Sequence, residues 1–353
     1  MTTLFLKLYA HYQQNLPFVI YCKPNSETTI GFFQNNDHLY LSENYSESGF
    51  IFNSFNNDLK VILPIEFCEV LSEKNALTSI KNEIENSDLK FQENDKLNFE
   101  HLVQKAIETI KKGICSKIVV SREEKVPLEF FSIENSFKKL LKNYPSAFNY
   151  CFYHPKIGLW MGATPEQLLK VQEKNIKTVA LAGTKTLDKK YLEWGNKEKY
   201  EQQLVTNFIL ENIKKYVTEE IISSPYTYQA GNLLHIKTDI EATLQNKKDL
   251  KEVIEILHPT PAVCGFPKNL AKDFIFENEG YNRDFYAGFL GELNFNLDLS
   301  SAENTDLFVN LRCMKVESNR ATIFVGCGIT SESKPEHEFL ETVQKSGTIK
   351  KVL

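Results

Sequence analysis

Val325-Gly326-Cys327-Gly328-Ile329, followed by Ser331-Glu332-Ser333-Lys334-Pro335-Glu336-His337-Glu338-Phe339-Leu340-Glu341-Thr342-Val343-Gln344-Lys345, orders the reading of the whole chain. An apolar run ends in a glycine-rich turn, and a helix follows. Pro335 suits the first helical turn, where its missing N–H costs nothing. On that helix Glu338, Glu341 and Lys345 fall at i, i+3 and i+7, on one face. Two carboxylates and an ammonium on one face can hold a divalent cation and an anion side by side. Gly326 and Gly328 would add backbone N–H groups aimed at the same place, a nest for a carboxylate or phosphate. A plain strand-to-loop turn has the same composition. No Gly-Lys-Ser/Thr follows, so the phosphate-loop pattern is absent.

Upstream, a hairpin over about 306–326 turns at Ser318-Asn319 and delivers the chain to these glycines. Before it lie Tyr281-Asn282-Arg283-Asp284-Phe285-Tyr286-Ala287-Gly288, a helix, and a stiff loop with two prolines, Leu257-His258-Pro259-Thr260-Pro261-Ala262-Val263-Cys264-Gly265. A strand with His235-Ile236-Lys237-Thr238 falls within Tyr226–Leu244, and a long helix over about 196–216 carries Glu198 and Glu201. Ile176–Leu181 predicts a strand running into Ala182-Gly183-Thr184-Lys185. Gly162-Ala163-Thr164-Pro165-Glu166-Gln167-Leu168-Leu169 reads as a helix start, with Thr164 as N-cap, Pro165 at N1 and Gln167 closing a capping box.

Ala147 to Met161 predicts two strands around His154-Pro155-Lys156, and a helix covers roughly 132–143. Ser116–Arg122 is a buried-type strand. It follows a helical stripe of Leu102, Val103, Ala106, Ile107 and Ile110 that ends before Gly113. Residues 1–74 read as an opening helix and short strands at Phe18–Tyr21, Thr29–Phe33 and Leu39–Leu41. Residues 75–97 are polar, a peripheral helix plus loop, and mark the boundary between a variable N-terminal part (1–97) and the rest (98–353). Helices and strands alternate irregularly without a fixed repeat. The pattern predicts a mixed α/β (α+β) fold with large, mainly antiparallel sheets flanked by helices.

At 353 residues the chain can bury a sizeable core, and its net charge of -5 gives no electrostatic case for nucleic acid or an anionic membrane. It has no run of about 18 apolar residues, and the N-terminus lacks the basic and apolar regions of a signal peptide. The seven cysteines are scattered without a Cys-x-x-Cys pair, which points to reduced thiols in the cytoplasm, with no zinc site and no disulfide framework.

Several residues can carry chemistry. Glu198/Glu201 and Glu338/Glu341 are two carboxylate pairs at i, i+3 on different helices; together they suit Mg²⁺, which takes hard oxygen ligands. Singly, such pairs also occur on ordinary solvated helix faces. Lys117 opens an apolar strand, where burial can make a lysine a base; a lysine snorkelling from a strand end is the alternative. Glu166, read in the first turn of its helix, faces a dipole that favours the anion and works against a general acid unless burial opposes it. Arg312, in Phe308-Val309-Asn310-Leu311-Arg312-Cys313, shares a face with Phe308 and Asn310 by alternation, and needs an anion there, from the protein or from a ligand. His235 reads more readily as a satisfied core histidine than as a catalytic one.

Taken together, the motifs resemble the chorismate-utilising enzymes. The matching pieces are KIVVSR (117–122), GATPEQLL (162–169), LAGTK (181–185), KEKYEQQLV (197–205), LHPTPAVCGFPK (257–268), YNRDFYAGFLGEL (281–293), FVNLRCMKV (308–316), FVGCGI (324–329) and PEHEFLETVQK (335–345). The resemblance runs from about residue 115 to 350. It implies a chorismate-binding fold, with residues 98–353 as the catalytic region, and Mg²⁺ dependence. Members that make aminodeoxychorismate can carry a nucleophilic lysine where this chain has Ala182. Aminating members lack the base lysine matched by Lys117. The stretch LHPTPAVCG is similar to isochorismate synthases. The implied activity is therefore isomerisation of chorismate to isochorismate by water addition at C2 with loss of the C4 hydroxyl, in menaquinone or siderophore biosynthesis.

By the same resemblance Lys117 is the base and Glu166 the acid. Glu201 and Glu341 match the Mg²⁺ ligands, with Glu198 and Glu338 as further candidates. Arg312, the Gly326 turn with Gly328, and Lys345 match the residues for the enolpyruvyl carboxylate. Gly183, Thr184 and Ala262 line the ring, with His235 beside them. The family often has a histidine after the first metal glutamate, where this chain has Gln202. A salicylate synthase, which also expels pyruvate, and a non-catalytic chorismate- or anion-binding protein are the alternatives. A cytoplasmic monomer is expected, with chorismate as its partner and neither nucleic acid nor membrane.

Overall fold

Phe18-Val19-Ile20-Tyr21-Cys22 is buried along its whole length, and its alternate residues enter two different hydrophobic cores. A strand covered on both faces needs a layer on each side, and the computed structural model supplies them. It describes residues 2–75, 91–186, 193–230, 233–297 and 304–353, with the side chains of Thr184, Thr186, Ala230 and Leu233 outside that description.

The chain opens with α1 (Thr3–Gln13), β1 (Phe18–Cys22), β2 (Thr28–Gln34), β3 (Tyr40–Leu41), β4 (Gly49–Asn53), β5 (Lys60–Pro64) and β6 (Cys68–Lys74). It continues with α2 (Glu93–Lys111), β7 (Lys117–Pro127), α3 (Ile133–Asn143), β8 (Phe148–His154), β9 (Gly158–Thr164), β10 (Gln167–Gln172) and β11 (Asn175–Thr186). Then come α4 (Asn196–Ile213), β12 (Val217–Ile222), β13 (Tyr226–Ala230), β14 (Leu233–Leu244), α5 (Leu250–Leu257), β15 (Gly265–Phe266) and α6 (Lys268–Asn278). The last elements are β16 (Phe289–Leu293), β17 (Asn304–Val309), β18 (Cys313–Glu317), β19 (Arg320–Ile329) and α7 (Pro335–Lys350).

One sheet has the order β15-β7-β19-β18-β9-β8-β1-β2-β6; the other runs β12-β14-β11-β10-β17-β16-β4-β5-β3, with β13 also on β14. Every strand pairing described is antiparallel. The expected mixed fold with large antiparallel sheets is what the chain adopts. The first 75 residues contribute strands to both sheets rather than standing apart. Among the described residues no helix is long and apolar enough to cross a membrane.

The larger core takes residues of both sheets. Phe148 stacks on Phe308 with ring centroids 4.4 Å apart, and Phe52 on Phe285 at 4.2 Å. Burying each such ring contributes roughly 2–3 kcal/mol. The second core holds Phe18, Ile20, Cys151 and Met161 of the first sheet together with Leu8 of α1, Phe137 and Leu140 of α3 and Ile349 of α7. α4 packs on β11 and β14, and α7 on β19 and α2. These two contacts bring the acidic faces of α4 and α7 to the end of the first sheet where β7 begins.

Four local expectations are corrected. Thr164 to Leu169 starts no helix: Gln167–Gln172 is β10, paired with β11 and β17. Thr164 Oγ1 does accept the Glu166 N–H at 3.3 Å, as a cap would, but it donates to Val309 O at 2.6 Å and the chain continues extended. Two open strand edges outweighed a local capping signal. It follows that Glu166 meets no helix dipole. Gly326-Cys327-Gly328 is not a turn; the three residues lie inside β19, opposite Ser121, Val120 and Val119 of β7. Phe308–Cys313 is not one strand, since β17 ends at Val309 in one sheet and β18 starts at Cys313 in the other. Alternation therefore says nothing of Arg312, whose φ of 47° turns the chain between the sheets. The hairpin turning at Ser318-Asn319 is β18–β19, without residues 306–309. Of the polar stretch 75–97, residues 76–90 lie outside the described residues, and α2 begins at Glu93.

Candidate active site

β18 runs out opposite Phe324, so from Val325 onward β19 pairs with β7 alone. Into this half-covered stretch fall the two glycines, each required by a close approach. A Cβ on Gly328 would lie 2.5 Å from Glu201 Oε1 and 2.9 Å from Lys117 Cε. A Cβ on Gly326 would lie 2.7 Å from Val120 O and 2.9 Å from the Tyr286 hydroxyl. Glycine is what lets side chains of α4 and β7 reach across the strand. The carbonyl of Gly326 accepts a hydrogen bond from Lys345 Nζ at 2.9 Å.

Three lysines each hold one glutamate. Lys117 Nζ is 2.7 Å from Glu201 Oε1, Lys197 Nζ is 2.5 Å from Glu338 Oε1, and Lys345 Nζ is 2.7 Å from Glu341 Oε1. Burial pushes the Glu201 carboxyl upward, but Lys117, Lys197 and Lys345 together outweigh it and hold it below its ordinary range. Burial also works against the Lys197 ammonium, yet Glu338, Glu201 and Glu341 leave it above its usual value. Glu338 moves the other way: burial, then repulsion from Glu341, raise it. Carboxylates of both helices thus crowd one spot. Because each is drawn to a lysine, no three metal-binding side chains converge as a ligand cluster among the described residues.

Across the cavity, Glu166 sits between β9 and β10, 6% exposed. Burial pushes its carboxyl up to about 7, against the pull of Lys117, Lys345 and Arg312. Arg312 is drawn down by burial, and its Nη1 donates to Thr348 Oγ1 at 3.1 Å. On β11 the register with β14 shifts between Ala182 and Thr184. The extra residue, Gly183, has φ 72°, and a Cβ there would come 3.0 Å from Glu198 Cβ. Its carbonyl accepts from His235 Nδ1 at 3.1 Å. Because a carbonyl can only accept, Nδ1 carries the proton. Burial, with Arg312 and Lys345 nearby, lowers His235 to about 3, so the ring is neutral.

Glu166, Gly183, Glu198, Glu201, His235, Ala262, Arg312, Gly326, Gly328, Glu341 and Lys345 all line one cavity. Lys117 and Glu338 stand just behind its wall, in contact with Glu201 and Lys197 respectively. Thr184 pairs with His235 through the backbone, and its side chain lies outside the described residues. Gln202, where a histidine might have stood, donates to Thr206 and Thr238 at 2.8 and 2.6 Å and serves the helix–sheet contact. Three residues at the site went unnoticed in the sequence. Lys197 and Tyr286 line the cavity, and Thr348 holds Arg312. Thr348 had a signal, since it extends the stripe of Glu341 and Lys345 by one turn.

A family model described as chorismate binding enzyme matches residues 51–353. The salicylate biosynthesis isochorismate synthase of Pseudomonas aeruginosa is 28% identical over 270 residues, which cover 73% of this chain and 55% of that protein. Isochorismate synthase EntC of Escherichia coli K12 is 28% identical over 270 residues, covering 72% of this chain and 66% of that one. The chain therefore spans between about half and two thirds of the length of these relatives. The solved structure of MenF, the menaquinone-specific isochorismate synthase of Escherichia coli, superposes with a TM-score of 0.78 at 20% identity, covering 96% of this chain and 88% of that one.

Proposed function

Because the chain belongs to the chorismate binding enzyme family, we propose that it is an isochorismate synthase, converting chorismate to isochorismate with Mg²⁺. The observation that carries the reading is Glu166: a buried carboxyl at about 7, facing a cavity walled by cations and carboxylates. A carboxylic acid that keeps its proton near neutrality can deliver it to a departing hydroxyl. In this reading Glu166 protonates the C4 hydroxyl of chorismate as it leaves. Lys117 rests as the ammonium paired with Glu201 2.7 Å away. To act as base it first gives up that proton to solvent and then takes the proton of the water that attacks C2, with Glu201 steadying the ammonium that re-forms. The ring double bond shifts between the two carbons. Arg312 and Lys345 hold the enolpyruvyl carboxylate, with the β19 edge at Gly326 and Gly328. Gly183, Ala262 and the neutral His235 border the ring.

The acidic side of the cavity suits a hard divalent cation. Its donors are carboxylate oxygens, and Glu338 is raised by burial and by Glu341, as expected where anions exceed cations. Glu201 and Glu341 would hold Mg²⁺, with Glu198 and Glu338 beside them. When bound, the ion supplies a fixed positive charge for the ring carboxylate of chorismate. The seven free cysteines, six of them buried, suit action in the reducing cytoplasm; we take the chain to act there as a monomer.

Purified protein incubated with chorismate and Mg²⁺ tests the reading. Isochorismate should accumulate with no pyruvate released. Salicylate with pyruvate would make it a salicylate synthase, and binding without turnover would make it a chorismate-binding protein.

A further inference from the structure

Arg312 differs from the other cations at the cavity. Lys117, Lys197 and Lys345 each lie within 2.7 Å of a glutamate, whereas no ion pair joins Arg312 to a carboxylate among the described residues. A guanidinium carries five N–H donors in one rigid plane. Pinning the backbone and one corner of that plane therefore sets where the remaining donors point. The backbone is pinned: Arg312 has φ 47°, and its carbonyl accepts from Ala163 N at 3.1 Å. That carbonyl also lies 2.9 Å from where a Cβ on Gly162 would be, so the turn fits only against a glycine.

The corner is pinned by Thr348, whose Oγ1 accepts from Nη1 at 3.1 Å. Thr348 is itself tied down, because its carbonyl accepts from the Tyr144 hydroxyl at 3.0 Å. It sits on the face of α7 that presents Glu341 and Lys345, at i+7 and i+3 from them. We propose that Thr348 is a positioning residue: it holds the Arg312 guanidinium by one corner so that the other donors face the cavity as a fork for a substrate carboxylate. This rests on the reading that Arg312 holds a carboxylate of chorismate.

The test is steady-state kinetics of the full chain with chorismate and Mg²⁺. Thr348→Val keeps the shape and removes the acceptor. Its KM should rise roughly tenfold, the low end of what losing a hydrogen bond to a charged group costs, while kcat changes less than about twofold. Thr348→Ser should restore KM to within about twofold of the parent. In an Arg312→Lys background, where the planar fork is gone, Thr348→Val should add less than about twofold. An unchanged KM, a fall confined to kcat, no rescue by serine, or the same tenfold effect with Arg312→Lys would each overturn the role. If the parent makes no isochorismate, the activity reading fails by itself. The same variants are then compared by calorimetric affinity for chorismate, where the tenfold weakening and its loss with Arg312→Lys are still required.

Discussion

Replacing Glu166 with glutamine removes the ionisable group with almost no change in size, and the cost of that ionisation can be worked out. Glu166 is 6% exposed, and burial raises its carboxyl from 4.5 to about 7. Between these values the folded chain keeps a proton that the unfolded chain has released. Stability therefore falls as pH rises through that window, and the loss is complete above about 7. At 1.36 kcal/mol per unit, ionising Glu166 costs the folded state about 3 kcal/mol by pH 8.5. The Glu166→Gln chain has no such cost. With a melting entropy of about 2.1 cal/mol/K per residue over 353 residues, 3 kcal/mol corresponds to about 4 °C in Tm.

Calorimetric scans of both chains should therefore show the variant gaining about 4 °C on the parent between pH 4.5 and pH 8.5. In the activity assay the parent's kcat/KM should fall as pH rises through about 7, because the acid must be protonated. The variant should lose at least about a hundredfold at pH 6. A Tm difference that does not change with pH would refute the raised carboxyl. A variant retaining a tenth of the parent's activity would refute the acid role, whatever the Tm does.

Two further substitutions separate the remaining roles. Lys117→Ala should lower turnover by at least about a hundredfold while chorismate affinity, by calorimetry, stays within a few-fold. It should also destabilise the fold by about 3 kcal/mol in denaturant titration, since Glu201 is left buried without its closest cation; full activity would remove Lys117 from the base role. Glu341→Ala should shift the Mg²⁺ concentration for half-maximal activity upward by at least about tenfold, and an unchanged Mg²⁺ titration would exclude it as a ligand.

The strands were legible where period and composition agree, as in β1, β7 and β11, because burial on a pleated face leaves its mark within a few residues. The carboxylate pairs were legible for the same local reason: i, i+3 spacing on one helix is written in four consecutive residues. Thr164-Pro165-Glu166-Gln167 failed because its capping signal is real, down to the bond from Glu166 N to Thr164 Oγ1, yet β11 and β17 offered the next residues a better place. The misreading of Glu166 followed from it. An acid set beside a helix dipole became one shifted by burial, which reverses the direction of its proton affinity. Arg312 was lost to the alternation rule because the chain changes sheets within three residues, and only a positive φ marks the place.

Gly326 and Gly328 show where local reading ends. A glycine pair before a helix means a turn when only neighbours are considered. Here it means the opposite, an extended strand kept bare, at Gly328 so that Lys117 of β7 and Glu201 of α4 can meet across it and at Gly326 to admit the Tyr286 hydroxyl and the Val120 carbonyl. No window of sequence holds that reason, because the residues needing the space come from elements far apart in the chain; Lys197 and Glu338, in the neighbouring pair, are 141 residues apart. Two of the three lysine–glutamate pairs fasten α4 to β7 and to α7, and the third lies within α7, whose Lys345 also bonds the Gly326 carbonyl of the first sheet. The charges proposed to hold a metal and a dianion are therefore also contacts that hold the walls of the cavity. Substituting one of them disturbs both at once, so the roles have to be separated by pH, by Mg²⁺ titration and by binding rather than by loss of activity alone.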